Sequence, residues 1–82
     1  MKTVQFVKSN GCATCGPWLN RIKEMAKTYK FNLEEVDVSE PSNSKWAMTL
    51  GIRSVPGVVV DDVFFMCSNP MDMVRMVKAV GE

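Results

Sequence analysis

Between residues 3 and 39 the spacing of the apolar residues changes twice, and that change restricts the fold more than any other feature of the chain. In "TVQFVK" (3–8), Val4 and Phe6 alternate with more polar neighbours, the period of a strand. From about Ala13 to Lys30 the apolar positions are Trp18, Leu19, Ile22, Met25, Ala26 and Tyr29, with Asn20, Arg21, Lys23, Glu24 and Lys27 between them. That spacing predicts an amphipathic helix, with Pro17 tolerated near its start. "NLEEVDVS" (32–39) returns to alternation through Leu33, Val36 and Val38. Strand, helix and strand in this order require a parallel pair joined by a right-handed crossover.

The remaining segments extend the same sheet. "EPSNSKWAMTLG" (40–51) carries Pro41 and a Ser/Asn cluster, then a short helix that ends at Gly51. "GVVV" (57–60) and "VFFM" (63–66) flank Asp61-Asp62, and this predicts an antiparallel hairpin with a two-residue turn. Asn69 is a helix cap, Pro70 suits the first helical position and Asp72 favours the positive end of the dipole. Met73, Val74, Met76, Val77 and Val80 form the apolar stripe of that last helix. The order β-α-β-α-β-β-α predicts an α/β fold, a four-stranded mixed sheet flanked by helices on both faces. At 82 residues, one domain spanning 1–82 is expected.

Ten basic residues stand against nine acidic ones and are spread from Lys2 to Lys78. No basic face for nucleic acid or for an anionic membrane is expected. The opening "MKTVQFVKSNG" is too short and polar for a signal peptide, and no stretch is long enough to span a bilayer. A cytoplasmic monomer is the expectation. Three cysteines do not suggest a secreted disulfide framework, and in a reducing compartment a C-x-x-C is catalytic or metal-binding.

The C-x-x-C lies in "NGCATCGPW" (10–18), after a turn in which Gly11 is free to take positive φ. If the helix begins at or just after Cys12, that sulfur faces free backbone N–H groups and the positive end of the dipole, which stabilise a thiolate. Cys15, one turn further in, is then the more buried thiol. The spacing suits an exchange in which Cys12 attacks a disulfide and Cys15 resolves the mixed disulfide. Taking Cys15 as the lead residue of "CGPW" fails, because Trp18 cannot resolve anything. A structural zinc needs four ligands, and the chain offers three cysteines and no histidine. The alternative of another class is a dimer that shares a metal or iron–sulfur cluster between two C-x-x-C pairs. Cys67 reads as a small buried residue rather than as a thiol that modulates the pair. Trp18 reads as a core anchor of the first helix, and Trp46 as a recognition candidate if exposed. Met73 and Met76 read as core filling.

"CATC" after a first strand, with "GIRSVPGVVV" beginning at Gly51, resembles the thioredoxin/glutaredoxin superfamily over essentially the whole chain, in its small, glutaredoxin-sized form. The resemblance implies the thioredoxin fold and a thiol–disulfide oxidoreductase with no cofactor beyond the Cys12/Cys15 pair and no metal. It implies that Cys12 attacks, Cys15 resolves, Pro56 is a cis-proline against the disulfide, and Val55 presents backbone groups to an extended substrate. It implies protein disulfides as substrates, ribonucleotide reductase as one client, and a thioredoxin-reductase-type or other reductant as partner. The chain departs from thioredoxins in Ala13-Thr14 and in Phe6, which stands where their first strand carries a buried acid. It departs from glutathione-dependent glutaredoxins, the alternative within the class, in reading "MCSNPMD" (66–72) where they carry a glycine pair. Lys8 is one residue out of register with a glutaredoxin lysine and reads as a solvated strand end.

Overall fold

The computed structural model describes residues 2–81. Its elements are β1 (Thr3–Lys8), α1 (Cys15–Tyr29), β2 (Asn32–Asp37), α2 (Pro41–Thr49), β3 (Gly57–Val60), β4 (Val63–Met66) and α3 (Pro70–Gly81). The strands lie in the order β2-β1-β3-β4. β1 and β2 run parallel, with Thr3 opposite Asn32 and Lys8 opposite Asp37. β3 is antiparallel to β1, Phe6 facing Val58, and β4 returns antiparallel to β3. Asp61 and Asp62 take φ of 50° and 64°, the left-handed pair that a two-residue hairpin turn needs. Aspartate tolerates it because its short side chain can bond locally.

Alternation along the strands decides what the sheet buries. Val4, Phe6, Val58, Val60 and Phe65 cluster with Ile22 of α1 and Met76 of α3. α1 packs on β1, β2 and α3, while α3 packs on β3 and β4. Val7, Val59 and Ala47 of α2 are buried outside that cluster. Burying these side chains at about 25 cal/mol per Å² is the main force holding the sheet to its helices.

The start of α3 is fixed as expected. Asn69 Oδ1 accepts the N–H groups of Met71 at 3.0 Å and Asp72 at 3.3 Å. Asp72 also accepts the Met66 N–H at 2.9 Å, which ties the helix start to the end of β4. Asn69→Ala is expected to lose about 1 kcal/mol of stability, read as a lower urea midpoint with an unchanged slope. A shift of a few hundredths of a kcal/mol would mean that the cap is idle.

Two element ends and the burial of one residue differ from the sequence reading. β2 stops at Asp37 rather than Ser39, because the Asp37 carboxylate accepts the Ser39 N–H at 2.9 Å and its carbonyl accepts the Glu40 N–H at 3.2 Å. Those bonds turn the chain. α2 ends at Thr49, and Gly51 takes φ of 73° just beyond it, so the glycine terminates the helix from outside. Val74 leaves the core stripe of α3 and is 50% exposed, whereas Met76 is fully buried. Two residues on a helix are about 200° apart around the axis, so the two cannot share one face.

Candidate active site

The segment between β1 and α1 is a turn rather than helix. Gly11 sits at φ 77°, the Cys12 N–H donates to the Ser9 carbonyl at 3.4 Å, and the Asn10 N–H donates to Ser39 Oγ at 2.8 Å. α1 begins only at Cys15, with Thr14 as the residue before it, and this corrects the expected start near Ala13. Cys15 is therefore the first helical residue and Cys12 precedes the helix. The disulfide between them, with Cα atoms 5.5 Å apart, still carries the Cys12 sulfur to the helix start. No side chain caps that start and no acidic residue lies in its first turn, so the positive end of the dipole there meets no countercharge from the helix itself.

The two cysteines differ in access. Cys12 is half-buried, and Cys15 is 6% exposed and belongs to the core cluster. Thr14 Oγ1 lies 3.9 Å from Cys12 Sγ, a contact with a hydroxyl that sequence reading passed over. Its only sequence signal is a hydroxyl-bearing residue between the two cysteines.

The Val55–Pro56 peptide bond is cis. Gly57, which follows it, pairs with Val7 at the end of β1. The cis bond and the C-x-x-C loop thus leave the sheet at the same end. Val55 and Cys12 both pack against the core cluster. Beside Val55, a shallow hollow of about 230 Å³ is lined by Ser9, Met48, Ile52, Arg53 and Ser54. A Cβ on Gly57 would meet the far end of the Phe64 ring and approach the Phe65 carbonyl oxygen at 3.0 Å, so a larger residue after the proline requires that ring to move.

Cys67 closes this corner. Its N–H donates to the Pro56 carbonyl at 3.3 Å, its side chain is 1% exposed, and burial pushes its thiol up to about 12 from 9.0. It stays a neutral thiol at physiological pH. Below pH 9 the thiol is protonated in both states; from pH 9 towards 12 the unfolded chain releases the proton and the folded chain keeps it, so stability falls. The expected slope is up to about 1.4 kcal/mol per pH unit, absent in Cys67→Ala. Urea titrations at pH 9 to 11 on both proteins check it; parallel profiles would rule out a protected Cys67.

Lys8 Nζ donates to Glu35 Oε1 at 2.8 Å, which raises the lysine and lowers the carboxylate, so Lys8 is engaged on the sheet surface. Phe6 is fully buried in the cluster that holds Cys15, and no charged side chain is buried among the described residues. No buried carboxylate is there to take a proton from Cys15. Trp18 is half-buried with the Arg21 guanidinium 4.6 Å from its ring centroid, and Trp46 is half-buried on α2. Among the described residues no group of three or more Cys, Asp or Glu side chains is placed to hold a metal ion.

A mixed four-stranded sheet with a C-x-x-C disulfide at the start of its first helix and a cis-proline at the same sheet end defines a thioredoxin fold. Residues 2–80 match the family described as Thioredoxin domain, and the chain belongs to that family. With its paired cysteines it is a thiol–disulfide oxidoreductase. Among solved structures it is similar to oxidised thioredoxin O2 of Arabidopsis thaliana (TM-score 0.74, 16% identity, covering 100% of this chain and 76% of that one). Thioredoxin 1 of Thermosipho africanus aligns with TM-score 0.68 and 18% identity over 95% of this chain and 89% of its own. Oxidised thioredoxin of Plasmodium falciparum aligns with TM-score 0.68 and 20% identity over 99% and 82%. No curated protein matches the sequence. No helix among the described residues is long and apolar enough to cross a membrane.

Proposed function

We propose that the protein reduces protein disulfides by cycling Cys12 and Cys15 between disulfide and dithiol. The observation that carries this reading is the Cys12–Cys15 disulfide at the uncapped start of α1, with only Cys12 open to a partner. The Cys12 thiolate attacks one sulfur of the substrate and expels the other as a thiolate, which takes up a proton. Cys15, once deprotonated, attacks the Cys12 sulfur, re-forms the internal disulfide and releases the second substrate thiol. The substrate gains two electrons and two protons. Val55 offers its backbone to an extended substrate segment beside Pro56.

In this reading the chain is a single domain over 1–82 and acts as a cytoplasmic monomer in electron transport and redox homeostasis. The cysteine pair is its whole redox equipment. A thioredoxin-reductase-type protein or another thiol reductant recharges it, and ribonucleotide reductase, whose turnover leaves a disulfide to be reduced, is the client the family points to. The absence of a glycine pair in 66–72 weighs against glutathione as the dedicated reductant.

Equilibration in glutathione buffers, with acid trapping, alkylation and mass mapping, tests the reading. The expected result is one two-electron couple in Cys12–Cys15, at or below the glutaredoxin range of about −200 to −230 mV, with Cys67 reduced throughout. A couple that involves Cys67, or about one metal per two chains that is lost in Cys12→Ser, would replace it with the metal-binding dimer.

A further inference from the structure

α1 and α3 leave an apolar groove between them on the outside of the molecule. Its floor is Trp18, Met25, Tyr29, Met73, Val74 and Val77. Two shallow hollows, of about 580 and 360 Å³, share Met25, Tyr29 and Met73 and so adjoin along the seam between the helices. Tyr29 and Val74 are 46% and 50% exposed there.

Three observations define what fits it. The walls are helices, whose backbone groups bond internally, so an added strand finds no edge and contact is made through side chains alone. From Trp18 to Tyr29 the groove runs about 16 Å, the length of three helical turns. Its only ionisable groups other than Tyr29 are Arg21, which lies over Trp18, and Lys78 at the far end; no carboxylate lines it among the described residues. The groove also opens at the disulfide end of the molecule. Trp18 is one turn beyond Cys15, and Ser68 follows Cys67, whose N–H is held by the Pro56 carbonyl.

We propose that this groove docks an amphipathic helix of a protein that exchanges electrons with the Cys12–Cys15 pair, with apolar residues at i, i+3, i+4 and i+7 and glutamates or aspartates flanking them. The flexible thioethers of Met25 and Met73 adapt the floor to the helix, and Arg21 and Lys78 meet its acidic flanks. The redox role of that partner rests on the proposed function above; the binding step does not.

The test uses three 14-residue peptides: an amphipathic helix with glutamate flanks, the same helix with lysine flanks, and a scrambled glutamate peptide. Binding is followed by Trp18 fluorescence in a Trp46→Phe protein and by the methyl signals of Met25 and Met73. The glutamate helix is expected to bind at least about tenfold more tightly than the other two, a difference of about 1.4 kcal/mol. Its binding weakens as salt rises, falls about tenfold in Val74→Glu, and loses its charge preference in Arg21→Glu. Equal binding of the glutamate and lysine helices, or no binding, overturns the proposal. So does a dimer in sedimentation equilibrium that Val74→Glu abolishes, since that assigns the face to a second copy. The potential of the cysteine pair is read separately on the same samples, so a failed groove and a failed redox role give different results.

Discussion

Replacing Cys15 with serine is expected to stop the exchange halfway, leaving the protein covalently attached to its substrate through Cys12. Cys12→Ser is expected to give neither adduct nor turnover. The difference follows from access: Cys12 is half-buried, while Cys15 is 6% exposed at the first position of α1. An incoming disulfide reaches the outer sulfur first, and only an internal attack by the inner one frees the product. Dithiothreitol-driven reduction of insulin should fall by roughly a thousandfold or more in both variants. Mass mapping should find the trapped substrate on Cys12 in Cys15→Ser alone. An adduct on Cys15 in Cys12→Ser would reverse the order of the pair, and an adduct on Cys67 would remove the pair from the chemistry.

The largest loss of stability is expected from Phe6→Ala. Phe6 is fully buried and belongs to the same cluster as Cys15, Ile22, Val58, Phe65 and Met76. It sits on β1, the strand that pairs with both β2 and β3, so the void opens at the centre of the sheet. Removing a buried phenylalanine ring costs about 3–5 kcal/mol through lost transfer energy and an unfilled cavity. A domain of this size has about 4–12 kcal/mol in total. The variant is expected to be partly unfolded near body temperature, and Phe6→Leu to lose much less because it keeps most of the volume. Urea titrations give both values. A loss below about 1 kcal/mol for Phe6→Ala would mean that the core closes around the gap or that Phe6 is not its centre.

Phe6 also illustrates why much of this fold is legible in the chain. Its alternation with Val4 fixes which side of β1 faces α1 and α3, and Asn69 with Pro70 marks the start of α3 within one residue. These are local signals, set by side-chain period and by unpaired backbone N–H groups. The start of α1 is less legible: Ala13 and Thr14 suit a helix by composition, and Pro17 is acceptable anywhere in a first turn. What excludes them is the turn that carries Cys12 back to Cys15, with the Cys12 N–H on the Ser9 carbonyl. Val74 stands at the edge of the apolar arc of α3, next to the polar face of Asp72, Arg75 and Lys78, and only the position of the sheet, which centres burial on Met76, leaves it exposed. The cis bond before Pro56 leaves no mark in residues 55 and 56 themselves, and only the family resemblance points to it. The crowding at Gly57 comes from Phe64, which lies across the hairpin, and no local pattern contains that contact.

The unequal access of the two sulfurs also governs how the protein meets its partners in time. In the proposed cycle, an electron donor attacking the oxidised form and a substrate attacked by the reduced form both use the same atom, the sulfur of Cys12, which is half-buried. One must depart before the other arrives. Steady-state kinetics with donor and acceptor varied together should therefore give parallel double-reciprocal lines, the pattern of a carrier that shuttles between two visitors.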